Sequence, residues 1–220
     1  MAEGSLHLFG LTGGIASGKS AVAARLRARG VPIIDADALS RDAVAVGSAG
    51  LARVVDEFGE DVLMADGALD RKKLAAVVFG DDAKRKLLNS IVHPIVTALT
   101  LEHAARLRDA GEPLGCYEAA LIVENGVADM FRPLVVVAAP EDVQVARACA
   151  RDRATADEAR ARIRAQMSLA EKTKVADYVI DNDGTLEDLH RKTDEVLAAI
   201  CAKAGVDPAR YAGGDRIGTG

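Results

Sequence analysis

The sequence predicts a three-layer α/β fold: a five-stranded parallel sheet with a helical insertion and a lid. Five short runs, "LHLFGLT", "VPIIDA", "LGCYEAAL", "LVVVAA" and "YVIDN", are rich in Val, Ile and Leu and scarcely alternate with polar residues. Strands buried on both faces of a parallel sheet have this pattern. Helical stretches separate the runs, as covered parallel sheets require. A glycine-rich segment, "GGIASGKS", joins the first strand to the first helix.

Taken in order, the first run passes through the glycines into "SAVAARLRARG", a helix expected to end at Gly30. The second strand is followed by a connection from Asp37 to Pro113, far longer than the ~12 residues that a βαβ crossover needs. The surplus predicts a helical insertion made of "GLARVVDEFG", "DRKKLAAVVFG", "DDAKRKLLNSIV" and "PIVTALTLEHAARLRDAG". A second insertion, "EDVQVARACARDRATADEARARIRAQM", lies between the fourth and fifth strands and is rich in arginine. The expected division is a core of 1–55, 106–140 and 171–205, a helical insertion of 56–105 and a lid of 141–170. The tail, 206–220, is glycine-rich and expected to be disordered.

Composition excludes several classes. The 220 residues are 50% hydrophobic, enough for a substantial core, but only 3% aromatic with no Trp, so stacking platforms for single strands are not evident. A net charge of −5 argues against general nucleic-acid or membrane-surface binding. Cys116, Cys149 and Cys201 are widely spaced and odd in number, which suits buried thiols in a reducing compartment. The start "MAEGS" has no basic n-region, and no apolar run approaches the ~18 residues of a membrane span. A cytoplasmic protein, monomeric or weakly self-associating, is expected.

The glycine-rich segment fits G-x-x-x-x-G-K-[ST], with Gly13, Gly18, Lys19 and Ser20 at the fixed positions and Gly14, Ile15, Ala16 and Ser17 between them. Glycines let successive backbone N–H groups turn toward phosphate oxygens, and the following helix adds the positive end of its dipole at Ala21 and before. Lys19 is placed for the β- and γ-phosphates, and the Ser20 hydroxyl for Mg²⁺. The core is therefore expected to be a P-loop NTPase core that binds a nucleotide with Mg²⁺. The chain has no N-K-x-D string for guanine and no L-S-G-G-Q signature. Beyond the second strand stand Asp35 and Asp37, where ligands of open α/β sheets lie. Asp37 reads two ways from position alone: a carboxylate that orients an acceptor hydroxyl and takes its proton, or the N-cap of "ALSRDAV".

The ordered set "LTGGIASGKS", "GVPIIDADALSR", "GALDRKKLAAVVF", "LLNSIVHP", "AALIVENG" and "VADYVIDNDG" resembles the dephospho-CoA kinases from about Leu8 to Leu197. The resemblance implies ATP- and Mg²⁺-dependent phosphorylation of the ribose 3′-hydroxyl of dephospho-CoA, the last step of coenzyme A synthesis. It implies a core, a CoA-side helical domain and a lid, similar to nucleoside monophosphate kinases. Asp37 matches the family's acceptor-side base. Arg41 would lie near the acceptor, or else be a solvated helix residue. Asp70 and Arg71 match a motif near the substrate domain, with Asp70 equally readable as an N-cap. His93, before Pro94, would lie near the substrate cleft, or else end a helix.

One stretch departs from the family pattern Asp-x-Pro-Leu-Leu-x-Glu. Here Glu118 stands for Asp, with Ala119 and Ala120 next, while Leu121, Ile122, Val123 and Glu124 keep the remainder. Glu118 is expected on the substrate side. Arg147 and Arg151, four apart on one helix face, are candidates for contacts to the transferring phosphate, against the alternative of surface pairing with Asp152, Asp157 and Glu158. Asn182 matches a contact to the ATP base, while Asp181 and Asp183 suit a turn. The alternatives to this reading are a nucleoside monophosphate kinase and, from another class, a nucleotide-dependent regulatory switch.

Overall fold

The computed structural model describes residues 5–213. All five expected strands form: β1 His7–Gly13, β2 Ile33–Asp35, β3 Leu114–Glu118, β4 Leu134–Ala138 and β5 Tyr178–Asp181. They join in one sheet of order β2-β3-β1-β4-β5. β1 is central, pairing parallel with β3 from His7 opposite Leu114, and parallel with β4 from Gly10 opposite Leu134. Phe9, Leu11, Leu114 and Val137 are wholly buried, as unalternating strands demand.

Nine α-helices are present among the described residues: α1 Lys19–Ala28, α2 Ala36–Asp42, α3 Ala49–Phe58, α4 Arg71–Val78, α5 Asp82–Asp109, α6 Glu141–Asp152, α7 Ala156–Arg164, α8 Leu169–Lys174 and α9 Leu186–Ala204. The chain falls into two compact units. The first holds the described residues through Ile34 and those from Leu107 onward, including the sheet except for Asp35 at the end of β2, and the segment expected as a lid. Its core joins Val22 and Leu26 of α1 to Leu197, Ile200 and Cys201 of α9 across Phe9 and Leu11. The Arg25 guanidinium donates to Asp194 from α1 to α9, with Nε at 2.9 Å.

The second unit is Asp35–Arg106. It begins well before the boundary expected at 56, because Val44, Leu51 and Val54 pack with Val62, Leu74 and Ile91 in one core. Two of its expected helices are in fact one: α5 runs 28 residues with Pro94 inside it. Proline removes the N–H that would bond the Ser90 carbonyl. Ser90, His93 and Pro94 are all exposed, so water can take that carbonyl and the helix continues. His93 therefore does not end a helix.

The expected tail disorder is overturned for its first part. Pro208–Tyr211 forms a 3₁₀ turn whose N-cap, Asp207, accepts from the Ala209 N–H. Tyr211 is 1% exposed within the main core, and its hydroxyl accepts from the Leu114 N–H at 3.3 Å. One large aromatic ring is enough to anchor a segment that is otherwise poor in apolar residues. Residues 214–220 of that expected tail lie outside the described residues.

Candidate active site

The phosphate loop is the turn between β1 and α1. Gly18 caps α1 at φ 99°, in left-handed space, and Ala16 also has positive φ at 55°. A β-carbon at Gly13 would stand 2.6 Å from Ser17 Oγ and 2.7 Å from the Val137 carbonyl oxygen, so the first fixed glycine is required by close packing. A β-carbon at Gly18 would overlap the Asn182 amide. The two glycines thus have separate reasons: crowding at Gly13, and both crowding and backbone conformation at Gly18.

The loop is braced from three sides within its own unit. Asn182, 6% exposed just past β5, donates from Nδ2 to the Ser17 carbonyl at 2.8 Å. Its Oδ1 accepts from Arg147 Nη2 at 3.4 Å. Gln144, 3% exposed in the first turn of α6, donates to the Ile15 carbonyl at 2.7 Å. Leu169 of α8 backs Gly14, with side-chain carbons 3.2 and 3.3 Å from where a β-carbon would be. Ser17 Oγ and Arg147 Nη1 are buried polar atoms without a hydrogen-bond partner, at the loop and beside it.

Lys19 opens α1 and Ser20 follows it, exposed in the first helical turn with Ala21 behind. Lys19 Nζ donates to Glu118 Oε1 at 2.8 Å, and Arg27 Nη2 donates to Oε2 of the same carboxylate at 3.3 Å. Lys19 and Arg27 are eight residues apart, about two helical turns, so both reach one carboxylate at the end of β3. Glu118 is only 5% exposed, which makes it the buried centre of a three-charge cluster. The longer side chain noted in the sequence is thus used to bridge two cations of α1. Burial, with Glu118 nearby, pushes the Cys116 thiol well above its ordinary range, so this cysteine stays a neutral packing group.

The remaining candidates separate. Arg147 stands beside the loop, but Arg151, one turn on, is exposed and held by Asp152 with Nε 2.7 Å from Oδ1. Asp152 also accepts from Arg162 of α7, and these contacts hold its carboxyl below the usual range, the Arg151 hydrogen bond first. Asn182 is turned into the loop. Its neighbours Asp181 and Asp183 line a cleft of about 260 Å³ with Ala138–Pro140 and with Leu169, Ala170 and Thr173 of α8. Lys192 Nζ donates to the Asp181 carbonyl at 2.7 Å, and to Asp183 Oδ1 at 3.1 Å. In the second unit, the N-cap of α2 is Asp35, whose Oδ1 accepts from the Ala38 N–H at 2.9 Å. Asp37 sits within the first turn, exposed, so the capping alternative for it fails. Arg41 is exposed in the last turn of α2. Asp70 caps α4, accepting from the Lys72 and Lys73 N–H groups, each at 3.1 Å, and Arg71 is the exposed first residue of that helix. Of the three free cysteines, Cys116 and Cys201 are buried, while Cys149 is half-buried in α6 beside the cluster that includes Ile15 and Ala16.

Gln144 and Lys172 were not singled out in the sequence. Gln144 lies in "EDVQVAR", where the arginines carried the expectation, and its position one turn past Pro140 was the only signal. No group of three or more His, Cys, Asp or Glu that could hold a metal occurs among the described residues. No helix there is long and apolar enough to cross a membrane.

A glycine loop ending in Lys-Ser, between the central strand and first helix of a parallel sheet, defines a phosphate-loop nucleotide-binding fold. The dephospho-CoA kinase (CoaE) family model matches residues 7–188. A dephospho-CoA kinase of Anaeromyxobacter dehalogenans is 46% identical over 211 residues, covering 94% of this chain and 100% of that one. Among solved structures, TT1252 from Thermus thermophilus superimposes with a TM-score of 0.77 at 40% identity, over 89% of this chain and 98% of that one. Dephospho-CoA kinase from Campylobacter jejuni gives 0.67 at 26% identity, over 90% and 98%. The chain belongs to the dephospho-CoA kinase family.

Proposed function

We propose that the protein transfers the γ-phosphoryl group of ATP to the ribose 3′-hydroxyl of dephospho-CoA, giving coenzyme A and ADP. The observation that carries this is the braced Gly13–Ser20 loop at the carboxyl end of β1, in a chain that the family model matches over residues 7–188. Phosphoryl transfer depends on alignment and charge neutralisation more than on covalent help. The loop N–H groups and Lys19 neutralise the triphosphate. Lys19 exchanges its Glu118 partner for phosphate oxygens, and Arg27 keeps Glu118 paired while it does so. Arg147 stabilises the charge that develops on the transferring group. Its unpartnered Nη1, beside the loop, suits this role. Arg151 joins it on closure of 141–170 as a lid, which excludes water and limits wasteful hydrolysis.

On the acceptor side, Asp37 orients the 3′-hydroxyl and accepts its proton. Asp37 is exposed in the first turn of α2, where an acceptor can approach it. Arg41, Arg71 and His93 of the same unit contact dephospho-CoA. The cleft between α8 and the end of β5 takes the ATP base. Ser20 would be the protein ligand for Mg²⁺, and it fits that ion: a single exposed hydroxyl suits a metal held mostly by phosphates and water. Bound there, Mg²⁺ would offset the negative charge of the phosphates. A soluble cytoplasmic protein follows from this reading.

The testing experiment measures ATP consumption with dephospho-CoA, AMP, CMP and adenosine as acceptors. Strong turnover with dephospho-CoA alone is expected. Equal turnover with AMP would favour a nucleoside monophosphate kinase, and no turnover with any acceptor would favour a partner-dependent switch.

A further inference from the structure

Lys172 of α8 is 0% exposed. Burying an ammonium is costly unless it is paired and hydrogen-bonded. Its Nζ lies 2.8 Å from Glu124 Oε1 and donates to the Ala120 carbonyl at 2.9 Å. The same carbonyl accepts from the Thr12 hydroxyl at 3.1 Å, and Thr12 is the residue before Gly13. Ala120 follows the end of β3, two residues past Glu118, and Ala119 N–H bonds Leu11 of β1. Lys172 therefore ties α8 to the segment where β1 turns into the phosphate loop and β3 delivers the partner of Lys19.

The other end of this link is Leu169. It lies three residues before Lys172, on the same helical face. Its side chain backs Gly14, as described above. The buried ammonium fixes where α8 sits, and α8 fixes how tightly Leu169 holds the loop. We infer that Lys172 is a positioning residue of the nucleotide site, acting on the phosphate loop through Leu169 and the Ala120 carbonyl and not by touching ATP. Full burial keeps it from a ligand in the open cleft. The inference rests on the phosphate-loop reading of residues 13–20.

A loop shifted by a fraction of an ångström to ~1 Å binds phosphates poorly, and such misplacement can cost about 10²-fold. Lys172→Met alone leaves Glu124 unpaired, and so tests folding as much as function. The informative variant is Lys172→Met with Glu124→Met. Buried ion pairs replaced by apolar pairs often keep or gain stability, and Thr12 still satisfies the Ala120 carbonyl. Leu169→Ala, which leaves the ion pair in place, is the companion. Thermal melts, calorimetric ATP titration and the separate KM values for ATP and dephospho-CoA are measured for both. The expected result is a double variant that melts near the wild-type temperature while its ATP Kd and KM rise on the order of 10- to 10²-fold. The KM for dephospho-CoA stays within about twofold, and Leu169→Ala, whose side chain also lines the cleft given to the ATP base, weakens binding of inorganic triphosphate as well as ATP. Wild-type ATP affinity in a stable double variant would make Lys172 a fold-stabilising group only and overturn the inference. Wild-type affinity in Leu169→Ala would do the same, even if the double variant did not fold. Failure of the wild-type protein to turn over dephospho-CoA would count against the proposed reaction and leave the ATP titration to decide the role of Lys172.

Discussion

Replacing Gly18 by alanine puts two separable costs on one atom. The backbone there has φ 99°, where an L-residue loses roughly 1–2 kcal/mol. The added β-carbon would also overlap the Asn182 amide, which must leave the Ser17 carbonyl it holds at 2.8 Å. Losing a buried hydrogen bond of this kind costs about 1–3 kcal/mol. Together these give about 2–5 kcal/mol, or roughly 4–20 °C in melting temperature at ~2–4 °C per kcal/mol for a domain of this size. The displaced Asn182 also releases Arg147, so ATP affinity falls with stability. Thermal melts and ATP titrations on Gly18→Ala, Asn182→Ala and the double variant separate the terms. Asn182→Ala removes the overlap, so the double variant should be less destabilised than the two single effects added. A Gly18→Ala protein with the wild-type melting temperature and wild-type ATP affinity would refute both the conformational and the packing argument.

Asp37→Asn should lower kcat by about 10²–10⁴-fold with ATP binding and melting temperature nearly unchanged, because Asp35 and not Asp37 caps α2; steady-state turnover beside a melt checks this. Arg147→Ala should lower kcat more than it raises the KM for ATP, if its contact strengthens as charge develops, and unchanged kcat would leave it a brace of Asn182 only. The Arg25 hydrogen bond holds the Asp194 carboxyl below its usual range, so its stabilisation is present above the ordinary carboxylate pKa of ~4 and is lost as pH falls through the lower folded value. Melting curves from pH 6 downward should therefore drop less steeply for Asp194→Asn than for the wild type. Tyr211→Ala should destabilise by about 3–5 kcal/mol, as for other buried aromatic truncations, where a disordered tail would give no change in the melt.

The sheet was legible because each strand is a short apolar run bounded by polar or glycine-rich turns, and both faces of β1, β3 and β4 are covered. The glycines of the loop were legible because Gly13 is set by close contacts and Gly18 by close contacts and by φ, which leave few alternatives. Pro94 was misleading because proline usually marks a helix end. Its tolerance in α5 depends on exposure, which local sequence does not record. Tyr211 was missed since its anchor, Leu114, is 97 residues away. The N-cap of α2 is Asp35, and the capping alternative for Asp37 fails, because β2 is only three residues long and α2 starts directly after it. Gln144 and Lys172 were invisible for a common reason. A polar side chain in a charged helical stretch reads as solvated until tertiary packing closes over it, as it does for Lys172 at 0% exposure.

The most direct test of the proposed reaction is the position of the transferred phosphate. The protein is incubated with ATP, Mg²⁺ and dephospho-CoA, and the product is analysed by ³¹P NMR and by its competence in a CoA-requiring assay. A phosphomonoester on the ribose 3′-oxygen, formed one for one with ADP and active as coenzyme A, is the expected result. ADP released without a phosphorylated acceptor, or phosphate attached elsewhere on dephospho-CoA, would contradict it.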